Sequence, residues 1–289
     1  FDNPVVYTGE EVRPDRYTLK VSVKNADGSR TERTLTEGKD FTVSYKNNIR
    51  PGTATVFFRG MGGYTGTLKK TYKISACPIG ENAAGVDGNI QIAMADSYAY
   101  TKGGCKPEPV VTFRGTALKK GTDYTLSYKN NTALNDGSDP GKLPVVTVRG
   151  KGCFTGERQV AYKIIAKDIG GLSMSASDKV WQNRKNRYQT KVVIRDVDGK
   201  ALDAAKDYEK LLTYAYHENV TLSDGTVRRA GEEVSGSDIL PAGTVIRVTA
   251  SAKGGNYTGT LTGSYRIVKS DISRSFFADS SIHTILFCS

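Results

Sequence analysis

Hydrophobic residues along this chain alternate with polar ones over short runs and never recur at a sustained helical spacing. In Phe41-Thr42-Val43-Ser44-Tyr45 the first, third and fifth side chains share one face, and the two hydroxyls take the other. Thr53-Ala54-Thr55-Val56-Phe57-Phe58 and Val145-Val146-Thr147-Val148 are β-branched and aromatic runs of strand length. Turn formers punctuate them: Asn25-Ala26-Asp27-Gly28, Asn47-Asn48, Asp198-Gly199 and Ser223-Asp224-Gly225. Many short strands, each with one apolar face, predict all-β domains built as two packed sheets.

The pattern repeats. Gly-Lys-Asp-Phe-Thr-Val-Ser-Tyr-Lys-Asn-Asn at 38–48 returns as Gly-Thr-Asp-Tyr-Thr-Leu-Ser-Tyr-Lys-Asn-Asn at 121–131. Arg-Gly-Met-Gly-Gly-Tyr-Thr-Gly at 59–66 returns as Arg-Gly-Lys-Gly-Cys-Phe-Thr-Gly at 149–156, and again as Lys-Gly-Gly-Asn-Tyr-Thr-Gly at 253–259. Each leads into a similar strand: Tyr72-Lys73-Ile74, Tyr162-Lys163-Ile164 and Tyr265-Arg266-Ile267. The glycine element reads as a hairpin turn between the last two strands of a repeat. Its glycines supply positive φ, and its Tyr or Phe folds back on the core edge. A phosphate-binding reading fails, because no helical pattern follows and no Gly-Lys-Ser/Thr closes the run.

These two signatures resemble the Ig-like repeats of large surface and secreted proteins of Gram-positive, clostridial-type gut bacteria. The resemblance covers 1–76 and 94–166 well. It covers 170–269 less well, since that copy lacks the Ser-Tyr-Lys-Asn-Asn strand and carries an insertion at about 209–243 after Ala205-Lys206-Asp207-Tyr208. It implies a tandem array of three immunoglobulin-like β-sandwich domains, at 1–76, 77–166 and a divergent 167–270. Asp271-Ile272 echoes Asp168-Ile169, so 271–289 is expected to be the start of a further repeat or a tail. It also implies a non-catalytic stalk or adhesive module, secreted or on the bacterial cell surface, with no cofactor.

Composition narrows the partners. A chain of 289 residues suits two or three domains, and no apolar stretch is long enough to span a membrane. With no initiator Met and no signal peptide, Phe1 reads as internal to a longer protein, within which the chain is expected to be monomeric. The net charge of +11 is spread as +5 over 1–76, +4 over 77–167 and +2 over 168–289. A nucleic-acid binder concentrates its charge on one face, so nucleic acid is not expected. Weak attraction to anionic polymers, such as teichoic acids of the cell wall or sialylated mucin, is.

Candidate chemistry is sparse. Cys105 and Cys153 occur in the same repeat and have no counterparts in the others, which points to an intradomain disulfide in an oxidising compartment, against two unrelated thiols. Cys77 and Cys288 lie in a linker and a tail, free or paired. A metal is not expected from two histidines and no Cys-x2-Cys spacing. His217 reads as strand, and a His283–Cys288 dyad would have no domain to hold it. Glu232-Glu233 reads as a solvated loop rather than a glycosidase pair. Asp196-Val197-Asp198-Gly199 reads as a hairpin turn rather than a weak calcium loop. Asn130, Asn219 and Asn256 open glycosylation sequons but serve as turn chemistry in a bacterial protein. A Lys–Asn isopeptide cross-link cannot be assigned among so many lysines and asparagines.

Binding, if present, is expected where the third repeat departs from the others. Its insertion holds Tyr214, Tyr216, Arg228 and Arg229. Its start holds the only tryptophan, Trp181, followed by Arg184 and Arg187. Such an aromatic and basic surface suits a host glycan, mucin, immunoglobulin or cell-wall polymer. The competing reading, favoured because Trp181 stands where the other copies have Tyr7 and Tyr100, makes it a core residue.

Overall fold

A computed structural model describes residues 5–14, 16–80 and 90–271. Among them there is no α-helix, and the regular structure is β-strand apart from two short 3-10 turns. The chain divides into two compact units. One runs from the N-terminus to Tyr98 and includes Lys106–Asn131 and Asn135–Lys163. The other holds Ala99–Cys105, Thr132–Leu134 and the described residues from Ile164 onward.

The first unit contains two cores. In the first, a four-stranded sheet runs in the order Val5–Val6, Thr67–Ser75, Gly52–Gly60, Phe41–Lys46. Alternation along Gly52–Gly60 turns Ala54, Val56 and Phe58 inward, where they meet Phe41, Tyr72, Ile74 and Val12. Tyr17, Leu19 and Leu35, beside the hairpin Lys20–Lys24/Arg30–Thr34, close the other side. Tyr17 sits edge-on to Phe58 at 5.0 Å, an arrangement the ring quadrupoles favour. The second core repeats the plan. The sheet Tyr124–Lys129, Val145–Gly150, Glu157–Ala161 faces the sheet Thr116–Ala117, Val110–Phe113, Ile90–Ala93. Ile79, Ile90, Val111, Phe113, Tyr124, Val148 and Phe154 fill the space between.

The second unit has a four-stranded sheet, Lys179–Val180, Thr260–Val268, Val245–Ser251, Thr213–Tyr216, and a facing pair, Ser173–Ala176 with Val192–Arg195. Its core is Tyr214, Tyr216, Leu222, Val234, Leu240, Ile246, Val248, Tyr265 and Ile267. The strand Thr213–Tyr216 corrects the expectation that this copy lacks the Ser-Tyr-Lys-Asn-Asn strand. Tyr216 pairs with Ile246 as Tyr128 pairs with Val146 and Tyr45 with Val56. The strand had been masked by Lys210-Leu211-Leu212, which bulge out between the Tyr208–Ala252 bridge and the Thr213–Thr249 pair.

The Cys105–Cys153 disulfide is also corrected: Cys77, Cys105 and Cys153 form no disulfide with one another. Strand direction supplies the reason. Cys105 and Cys153 take the places of Val12 and Gly63. In the first repeat Val12 bonds to Asn48, before the start of Gly52–Gly60, and Gly63 follows its end. Six to nine residues of strand, at about 3.3 Å each, separate two such positions. A disulfide needs its Cα atoms within about 7 Å. Cys288, His283 and the tail lie outside the described residues.

Candidate functional site

Two local structures explain the repeated motifs. In the Gly-x-Asp-[Tyr/Phe] turn the aspartate carboxylate accepts the backbone N–H four residues earlier: Thr36 to Asp40 at 2.9 Å, Lys119 to Asp123 at 2.8 Å and Asp203 to Asp207 at 2.8 Å. The residue two before each aspartate takes positive φ, +79° at Gly38 and +86° at Gly121. The third copy puts Ala205 there at +70°, a strained position for a side chain. The second structure is the glycine turn. Gly60 donates to Gly66, Gly150 to Gly156 and Ala252 to Gly259, at 2.9 to 3.0 Å. A Cβ at Gly150 would lie 2.6 Å from the Thr155 nitrogen, and one at Gly60 2.9 Å from the Thr65 nitrogen. The third turn is one residue longer, and Ala252 stands in it where the other two have Gly60 and Gly150.

Trp181 follows the short strand Lys179–Val180, and its N–H donates to Val268 at 2.8 Å. Its ring is partly buried against the core, and it lines a narrow crevice of about 10 Å³ with Val180, Arg184, Arg187, Asp238 and Leu240. The structure therefore brings Trp181, Arg184 and Arg187 together, with both arginines exposed.

The other four expected residues do different work. Tyr214 and Tyr216 are buried in the core, because Leu222, Val234 and Leu240 of the insertion fold over them. Tyr214 packs edge-on to Tyr188 at 5.3 Å. Asp238, which sequence reasoning passed over, organises the insertion. Its carboxylate accepts the Tyr216 hydroxyl at 2.8 Å, an Arg228 N–H at 2.7 Å and the Ser235 N–H at 3.1 Å. Burial, then the Asp238 carboxylate, raise the Tyr216 pKa. Arg228 is thus a clamp on the insertion rather than a surface hook. Arg229 is exposed, and its backbone N–H donates to Glu232. Glu232-Glu233 differs from a free loop: Glu233 pairs with Ala215 along the open edge of Thr213–Tyr216, although both glutamates remain exposed. The Asp196 turn closes through Gly199 N–H to Asp196 at 2.8 Å, and the buried Asp196 carboxylate is ion-paired with Lys167.

No family model matches the chain, and no curated protein does. Among solved structures it is similar to the protocadherin GammaB4 extracellular domain, with 13% identity, a TM-score of 0.24, and coverage of 91% of this chain and 43% of that one. It is also similar to Drosophila N-cadherin EC1-3, with 11% identity, a TM-score of 0.20, and coverage of 93% and 99%. The chain thus spans less than half of the first. Superpositions this loose carry no argument, and the all-β assignment rests on the strands themselves. No helix among the described residues is long and apolar enough to cross a membrane.

Proposed function

We propose that the chain is a non-catalytic stalk of three Ig-like repeats, at 1–76, 77–166 and 167–270, from the surface or secretions of a Gram-positive bacterium. One observation carries this reading: a repeat ties its opening strand to its closing strand in parallel. Val5 and Val6 pair with Ile74 and Ser75, and Lys179 and Val180 pair with Ile267 and Val268. Tension applied through the two strands pulls them past each other in shear, so their hydrogen bonds share the load instead of opening one at a time. The core roles of Tyr214 and Tyr216 and the clamped Arg228 further support a spacer over an adhesive face in the insertion.

A second reading has its own support. Trp181 lies beside Arg184 and Arg187, both exposed, and an aromatic with two neighbouring cations suits a binding module for a host glycan, mucin, immunoglobulin or cell-wall polymer. Binding of the whole chain to mucin, immunoglobulin and teichoic acid at low and high salt decides between the two. The spacer gives only attraction that vanishes with salt, as expected from the summed charge. Salt-resistant binding lost in Arg187→Ala overturns it.

A further inference from the structure

The outer face of the first repeat's four-stranded sheet carries cations and no acids. Alternation fixes which side chains it shows. Where Ala54, Val56 and Phe58 turn inward, Thr53, Thr55, Phe57 and Arg59 turn outward. The register then places Lys69 directly across from Phe57, Lys73 across from Thr53 and Lys46 across from Thr55. Lys46, Arg59, Lys69 and Lys73 are all exposed. No aspartate or glutamate occurs in Phe41–Lys46, Gly52–Gly60 or Thr67–Ser75. None of these four cations has an ion-pair partner among the described residues.

The second repeat shows the same face neutralised. Arg149 stands where the first repeat has Arg59, and Glu157 on the neighbouring strand holds it at 2.7 Å. In the first repeat Thr67 takes the place of that glutamate, and Lys69 takes the place of Gln159. By sheet geometry the four cations sit roughly 7–13 Å from their nearest neighbours. That is close to the screening length of about 10 Å at 0.1 M salt, so their fields overlap and repel. Folding bears this repulsion, and a bound polyanion relieves it. A net charge of +5 over 1–76 conceals the face, because every acid of the repeat lies outside these strands.

We infer that this face docks a linear polysaccharide bearing sulfate or phosphate. The nine residues of the strand Gly52–Gly60 make it about 30 Å long, which suits an extended chain better than a compact ligand. Thr42, Ser44, Thr55 and Thr71 lie between the cations and offer hydroxyls to those of a sugar. The same surface suits nucleic acid poorly. Single strands are held by stacking on aromatic rings, and the ring here, Phe57, is partly buried. A flat sheet face has no element to enter the groove of a duplex. The face lies on a different repeat from Trp181, and the inference stands whether or not the array is a stalk.

Binding of the full chain to immobilised heparin, to a glycerol-phosphate lipoteichoic acid and to single-stranded DNA, over a salt series, tests this. Heparin carries sulfate and lipoteichoic acid phosphate, so the tighter of the two identifies the anion. For that polymer the affinity should fall with salt at a log–log slope of about −3, from four charges at about 0.7 each. Thr67→Glu combined with Lys69→Gln writes the second repeat's residues into exposed positions of the first. It should halve the slope and weaken binding roughly twentyfold at 0.1 M salt. Arg30→Gln combined with Arg33→Gln removes the same net charge from the exposed hairpin strand Arg30–Thr34 and should leave both nearly unchanged. Equal losses in the two double variants would mean attraction to the summed charge and overturn the inference. So would an absence of binding to either polymer at low salt, or single-stranded DNA held as tightly as the better polymer and lost in the same variant.

Discussion

Asp238 is the residue on which the third repeat's insertion depends, and its replacement has a cost that can be worked out. Asp238→Ala strands the Tyr216 hydroxyl, which belongs to a side chain with 0% exposure, and an unsatisfied buried group costs about 1–3 kcal/mol. It also removes a charge-assisted bond from Arg228, of about 1.5–3 kcal/mol. Part of that is recovered, because the Arg228 side chain is 26% exposed and can turn to water. The sum is about 3 kcal/mol, at the lower edge of what breaking a buried ion pair costs. With a urea m-value of about 1.5 kcal/mol/M, the midpoint of the second unit should fall by about 2 M. Urea unfolding followed by near-UV circular dichroism and Trp181 emission reads that shift. Tyr216→Phe should cost clearly less in the Asp238→Ala background than alone, because its bond is already gone. A midpoint change under about 0.5 M, or fully additive single effects, refutes the network.

Other outcomes follow from single positions. Gly150→Ala should destabilise by about 1–3 kcal/mol, since its Cβ would meet backbone atoms of Phe154 and Thr155, whereas Ala252→Gly should cost little; thermal unfolding separates the two. Ala205→Gly should stabilise by about 1 kcal/mol by relieving a side chain at positive φ, against the usual trend for this substitution. Asp203 is held below the ordinary carboxylate value of 3.8, first by its hydrogen bond from Lys102. A depressed folded pKa means this contact supports folding above the ordinary value and is lost as pH falls through the depressed one. Carbon-13 titration of Asp203 should show the depression, and Lys102→Met should abolish it. Non-reducing peptide mapping should find no Cys105–Cys153 link.

The chain's turns were legible because their residues do jobs that no others do cheaply. An aspartate four residues from an N–H, and a glycine at positive φ or under a backbone contact, leave a signature wherever they recur. Short strands with one apolar face were equally plain in the alternation of Phe41-Thr42-Val43-Ser44-Tyr45. The strand Thr213–Tyr216 was missed because a three-residue bulge displaced it, although Tyr216 and Asn219 keep the spacing of Tyr128 and Asn131. The disulfide was misread because sharing a repeat says nothing about which end of a strand a residue occupies. The burial of Tyr214 and Tyr216 was hidden in the insertion itself. Leu222, Val234 and Leu240 look like scattered loop apolars until they are seen covering those rings. The equivalence of Trp181 with Tyr7 and Tyr100 was visible from the start, but what the latter two touch was not.

The stalk account rests on the parallel strand pair, and pulling the whole chain by its termini in a single-molecule force experiment tests it most directly. Trp181→Pro and Trp181→Ala both remove the indole, but only proline removes the N–H that donates to Val268. The account expects the proline variant to lower the unfolding force of the third repeat well below that of the alanine variant, while the other peaks stay unchanged. Equal forces in the two variants would contradict it.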